Sequence, residues 1–194
     1  MDIRRVVIIA LFAALIVAGA YISIPIGPVP ITLQTLFILL AGLLGGRRIG
    51  MAAVAVYLAL GAMGLPVFSG GTGGFARFFS PTGGFLISWL PAVAIAGICS
   101  DIGYRPASQE GETTTKIHLL WMVLGALAAS IIIYAIGLTV LKLNLDFSWS
   151  KTIAVGLLPF LPGDLLKLIS AVILGNLFAR NVRTFIRAKN QEVS

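Results

Sequence analysis

The residues best suited to chemistry stand in one short stretch, 158–167, read L-P-F-L-P-G-D-L-L-K. Asp164 and Lys167 are three residues apart at the start of a helical half, so a carboxylate and an ammonium point to one side. Pro159, Pro162 and Gly163 break the helix just before them, because proline lacks the N–H a helix needs and glycine gives up helical order. Apolar runs at 153–158 and 168–178 flank the stretch, which puts the carboxylate deep inside what otherwise reads as a membrane span. An ionised group there costs roughly 2.5–3.5 kcal/mol even on the lenient insertion scale, and such groups are usually functional. Broken helices whose fresh N–H groups face a ligand are a recurring transporter device. The alternative is that Asp164 only caps its helix and pairs with Lys167. A serine would cap at less desolvation cost, so this is the first candidate binding site.

A second unusual stretch, 64–85, crowds seven glycines, two prolines and five phenylalanines into 22 residues. Glycines permit close backbone approach and expose peptide N–H and C=O groups to a ligand. Phe75, Phe78 and Phe79 can wall an apolar pocket around them. No G-x-x-x-x-G-K-[ST] pattern occurs in the chain, so this is not an ATP phosphate loop. A third stretch, 23–31, reads S-I-P-I-G-P-V-P-I: too broken for a helix and too apolar for a solvent loop. It is expected to form a re-entrant, lid-like segment packed on the bundle, since irregular backbone at membrane depth must be buried in protein or line a cavity. Thr32 and Gln34 follow it, and the Gln34 amide serves either a ligand or a neighbouring helix.

Other chemistry is excluded. His118 is the only histidine and Cys99 the only cysteine, so neither a metal cluster nor a disulfide framework is expected. No serine–lysine or paired-aspartate arrangement suits intramembrane hydrolysis, and Asp164 lacks a partner acid, so no enzyme and no cofactor is expected.

The elements that must position these groups are membrane helices. The chain is 58% hydrophobic and only 11% charged, against about 25% charged in soluble domains. Apolar runs of span length predict an all-α membrane protein, one domain over 1–194. It is read as a six-transmembrane-helix bundle with a re-entrant proline-rich lid and broken helices. The spans are expected near 5–24, 33–45, 49–62, 84–100, 117–141 and 152–179. The first span resembles a secretory signal with an Ala18-Gly19-Ala20 cleavage site, but its length and the spans that follow favour an uncleaved helix. Ala10, Ala14 and Ala18 repeat every four residues along it, a small-residue stripe for close packing either inside the bundle or onto a partner subunit. Residues 101–116 read as a solvent loop.

The net charge of +7 could suggest nucleic acid, but the charges cluster at span ends, which is a topology signal and not a phosphate groove. With both termini cytoplasmic, ten of the fourteen Lys and Arg residues fall inside: positions 4, 5, 47, 48, 105, 116, 180, 183, 187 and 189. The proline-rich lid, the glycine-rich loop and the entrance to the Asp164 half-helix then converge on the outer side.

These stretches carry a family resemblance. I-P-I-G-P-V-P-I-T-L-Q-T (24–35), G-L-P-V-F-S-G-G-T-G-G (64–74), P-T-G-G-F (81–85) and L-P-G-D-L-L-K (161–167) resemble the BioY family, in the same order and over nearly the whole chain. BioY proteins are the biotin-binding S components of energy-coupling factor transporters. The resemblance implies six helices, biotin capture from outside a cell membrane, and a module of one transmembrane coupling subunit with two cytoplasmic ATPases. It gives Ala10, Ala14 and Ala18 the role of docking face for the coupling subunit. It also lays the ligand on the residues. Asp164 accepts from the ureido N–H groups, and Thr72 with the backbone at Gly71 and Gly73 serves the rest of the ureido group. Phe75, Phe79, Val29 and Ile31 meet the thioether ring and valeryl chain, and Lys167 or Arg77 takes the carboxylate. Family members often carry asparagine where this chain has Thr72. The rival expectation is a self-sufficient proton-coupled carrier in which Asp164 exchanges protons.

Overall fold

The computed structural model describes residues 3–104 and 112–187. Its elements in chain order are α1 (Ile3–Tyr21), β1 (Ser23–Ile24), β2 (Ile31–Thr32), α2 (Gln34–Ala62), a 3-10 turn (Phe75–Phe79), α3 (Gly83–Gly103), α4 (Glu112–Leu145), α5 (Trp149–Gly156) and α6 (Leu161–Arg187). Among the described residues, five helices are long and apolar enough to cross a membrane: α1, α2, α3, α4 from Lys116 and α6 to Ile186. This is the helical membrane bundle expected from composition.

Helix α2 reverses direction within its length. Gly46 has φ 73°, a conformation that costs glycine nothing and other residues dearly. A Cβ placed on Gly50 would lie 2.9 Å from the Ala41 carbonyl oxygen. A straight helix rising about 1.5 Å per residue would hold those positions far apart, so the two halves fold back on each other. They correspond to the second and third expected spans.

Helix α2 is central and touches α1, α3, α4 and α6, while α3 lies along α4. The α3–α4 contact is close because glycines line it. A Cβ on Gly125 would sit 2.7 Å from Cys99 Cβ, and one on Gly84 would sit 2.5 Å from Val140 Cβ. Helix α6 turns an unusual face inward: Lys167, Ala171, Ala179 and Arg183 are buried, while Leu165, Leu166, Ile169, Ile173 and Leu177 are exposed. Exposed leucines and polar residues inside are what hydrocarbon solvent demands.

Two expectations are corrected, and the proline-rich segment takes a defined form. The stretch around Asp164 is not the middle of one crossing over 152–179. Helix α5 ends at Gly156 and α6 begins at Leu161, so Asp164 stands in the first turn of the apolar crossing. Pro162 explains this, because a first-turn proline loses only an N–H that had no partner. The proline-rich stretch is a β-hairpin, with Ser23 paired to Thr32 and Ile24 to Ile31. Its Val29 is buried against Leu138, Leu141 and Phe160, which anchors the hairpin on the bundle. Residues 101–103 of the expected solvent loop continue α3. The expectations on Arg105 and Lys189 lie outside the described residues.

Candidate substrate-binding site

The hairpin, the glycine-rich loop and the start of α6 meet around a cavity of about 240 Å³, the scale of a small bicyclic solute and not of a peptide. The three unusual stretches therefore do converge. Asp164 and Lys167 of α6, Thr72 and Arg77 of the glycine-rich loop, and Val29 and Pro30 of the hairpin all line it.

Asp164 is held from two directions. Lys167 Nζ donates to its Oδ1 at 2.7 Å, and the Tyr134 hydroxyl from α4 donates to its Oδ2. The side chains of Lys167 and Asp164 are 8% and 21% exposed, so this ion pair is largely out of solvent. The positive end of the helix dipole further favours a negative charge in the first turn of α6. A carboxylate offers about four lone-pair sites, so two bonds leave room for donors arriving through the cavity.

The glycine-rich loop presents the second polar group. Gly70 and Gly71 take φ of 73° and 66°, and the turn they form brings Phe68 and Thr72 into a bridge. Arg77 Nε and a terminal nitrogen donate to Thr72 Oγ1 at 3.0 and 2.6 Å, and Thr72 Oγ1 donates to the Ser69 carbonyl at 3.0 Å. Threonine thus fixes the guanidinium at the cavity, and two of its five N–H donors are used in doing so.

Gln34 is 2% exposed and its Nε2 donates to the Tyr57 hydroxyl at 2.6 Å, so its amide is tied to the returning half of α2 while its side chain still lines the cavity. Two lining residues carry buried polar atoms without a hydrogen-bond partner among the described residues: Thr35 Oγ1 and Trp89 Nε1. An unmet buried donor costs about 1–3 kcal/mol, and a solute or water entering the cavity would relieve it.

Aromatic walls come from other residues than expected. Phe75 and Phe79 are 65% and 70% exposed and pack on each other with ring centroids 5.6 Å apart. The tight 3-10 turn sends both outward and leaves Phe78 to pack on Phe68. Phe68, Phe85 and Phe160 line the cavity instead. Ile31, Gly71 and Gly73 are not in the lining either: the glycines shape the turn that carries Thr72, and Gly73 packs under the Leu65 carbonyl. Sequence reasoning missed Tyr134, Thr35 and Trp89. A lone phenol within the uncharged run 119–141 was the available signal for Tyr134.

Outside the cavity, Ala10, Ala14 and Ala18 are all exposed, while Ile9, Ala13, Ile16 and Ala20 face the bundle. The stripe is therefore not used for packing within the described chain. His118 packs edge-on against Tyr104, ring centroids 5.8 Å apart.

Comparison with known proteins gives one consistent result. The family model described as "BioY family" matches residues 1–184. The biotin transporter BioY of Thermotoga maritima is 38% identical over 171 residues, covering 88% of this chain and 93% of the relative. That of Rhizobium etli is 40% identical over 178 residues, covering 90% and 92%. A crystal structure of the S-component for biotin from an ECF-type ABC transporter superposes with a TM-score of 0.76 at 29% identity, covering 91% of this chain and 90% of the other.

Proposed function

This chain belongs to the BioY family, and from that membership we propose that it captures biotin at the outer face of a cell membrane as the S component of an energy-coupling factor transporter. The observation that carries the reading is the meeting of Asp164, Lys167, Thr72 and Arg77 around one small cavity under the proline-rich hairpin. Asp164, already oriented by Tyr134 and Lys167, accepts from the ureido N–H groups through its remaining lone pairs. Lys167 stays with Asp164 at that end of the ligand. The valerate carboxylate, at the far end of an extended solute, goes to Arg77, whose planar donor fork suits a carboxylate. Phe68, Phe85, Phe160 and Val29 enclose the thioether ring and valeryl chain.

Both termini are cytoplasmic, by the positive-inside count of Lys and Arg. Transport requires a coupling subunit seated on the exposed Ala10–Ala14–Ala18 face of α1 and two cytoplasmic ATPases, which supply the nucleotide chemistry the chain's sequence lacks.

The test is a titration of the purified chain with biotin and a panel of other vitamins, followed by uptake with and without the module. Biotin binding by the chain alone, with ATP-dependent uptake only beside the module, is expected. Uptake by the chain alone that collapses with a protonophore at constant ATP would establish the proton-coupled carrier instead. Failure to bind biotin while another vitamin binds would sink the ligand assignment.

A further inference from the structure

The end of the bundle opposite the substrate cavity holds a second and larger cavity, about 660 Å³. It opens where the start of α1, the Gly46 turn of α2, the end of α3 and the end of α6 come together. Its walls are isoleucines, among them Ile9, Ile49, Ile98 and Ile186, and three arginines, Arg5, Arg47 and Arg48, stand on its lining. All three arginines are exposed. Asp101 also lines it, but its carboxylate is committed: Oδ1 takes Arg183 at 2.8 Å and Oδ2 takes the Arg47 backbone N–H at 3.0 Å. The cavity is thus strongly basic over a greasy floor.

We propose that this cavity seats an anionic phospholipid, its headgroup phosphate among Arg5, Arg47 and Arg48 and the top of an acyl chain against the isoleucines. A soluble anion would use the arginines and leave the isoleucine walls in water. A neutral lipid would use the walls and leave three positive charges crowded together. Only an amphiphile with a negative head satisfies both surfaces, and basic pockets between membrane helices bind such headgroups. An acidic helix of a protein partner would meet the arginines, yet a cleft bordered by four helices of this chain admits an acyl chain more readily than a second helix about 10 Å across. The headgroup would bridge α1 to α2, while the acyl chain would pack against the isoleucines that α3 and α6 also supply. The inference does not depend on the identity of the transported solute, and it depends on the orientation given above only for which leaflet supplies the lipid.

The experiment titrates the full chain in neutral detergent with phosphatidylglycerol, phosphatidylcholine or inorganic phosphate, and counts retained lipid by native mass spectrometry. Phosphatidylglycerol should be retained in preference to phosphatidylcholine, with affinity falling about fivefold for each of Arg5→Gln, Arg47→Gln and Arg48→Gln. A charge-keeping Arg48→Lys should fall less than Arg48→Gln. Binding of the transported solute, unaffected in every variant, shows that the variants fold. Equal retention of both lipids, competition by millimolar phosphate as effective as by lipid, or an unchanged lipid affinity in the triple Gln variant would each overturn the proposal. Loss of assembly with the ATPase module while lipid retention is unchanged would overturn it too, in favour of a protein partner.

Discussion

Asp164 and Lys167 make an ion pair that is nearly dry, and such a pair survives only when its remaining hydrogen-bonding capacity is met. Tyr134 meets part of it, and the ligand's N–H donors are expected to meet the rest. Asp164→Asn removes the charge from those bonds and should raise the biotin Kd about 10–100-fold, since hydrogen bonds to charged groups contribute about 1.5–3 kcal/mol. Tyr134→Phe keeps the charge but frees the carboxylate to rotate, and should raise Kd about tenfold with unchanged stoichiometry. Isothermal titration of both variants decides. A Tyr134→Phe variant that binds more tightly would mean that the phenol competes with the ligand for Oδ2. The pair itself was legible in the sequence, because two charges between apolar runs are costly and visible. Tyr134 was not, since it lies 30 residues away on another helix and only packing brings the two together. Phe75 and Phe79 stand outside the cavity lining for a related reason: composition places aromatics near a site, but the turn geometry decides which rings face it.

At the scale of elements, two helices carry the same small-residue signature with opposite fates. Ala10, Ala14 and Ala18 of α1 face outward, while Ala171, Gly175 and Ala179 of α6 face the core. A Cβ on Gly175 would meet Met122 Sδ at 3.3 Å and Leu43 Cβ at 3.5 Å, so that side of α6 is already full. Periodicity alone cannot separate these cases, because spacing fixes which residues share a face and says nothing about what covers it. Ala14→Phe should therefore leave biotin affinity within about twofold, the site being remote, and abolish uptake by blocking the coupling subunit. Gly175→Leu should destabilise the isolated chain by about 1–3 kcal/mol through overpacking, read by thermal unfolding in detergent. If Ala14→Phe lowered stability as much as Gly175→Leu while uptake by the surviving protein was normal, the docking role of the stripe would be lost. The hairpin shows the complementary limit. Its prolines excluded a helix from the sequence, but the register that puts Val29 against Phe160 follows from a cluster no local pattern encodes.

Across the whole molecule, the charged groups of α6 are segregated to its two ends, Asp164 and Lys167 at one and Arg183 among those at the other, with buried small residues between. Arg183 is one of the ten inner-side charges in the sequence count, and in the fold it is buried. One of its terminal nitrogens donates to Asp101 and the other to Ser100 Oγ, both at 2.8 Å, and Ser100 in turn donates to the Leu43 carbonyl beside the Gly46 turn. The network clamps α6, α3 and the α2 reversal at one point. Its two charged members are not equivalent. The Arg183 side chain is 5% exposed and that of Asp101 46%, so water can take over the carboxylate but not the guanidinium. Asp101→Asn, which strands the buried cation, should cost about 3 kcal/mol, whereas Arg183→Met, which leaves a partly hydrated anion, should cost less. The double variant should recover part of the Asp101→Asn loss, because its buried position then holds only an apolar side chain of similar length. Thermal unfolding of the three variants in the same detergent measures the cycle, and biotin titration of each measures the other end of the helix. Stability should change while Kd holds within about twofold, since the two ends share no partner. Equal losses from the two single changes would contradict the asymmetry drawn from exposure. A Kd that rose in step with the lost stability would mean that the clamp and the Asp164 site move as one body.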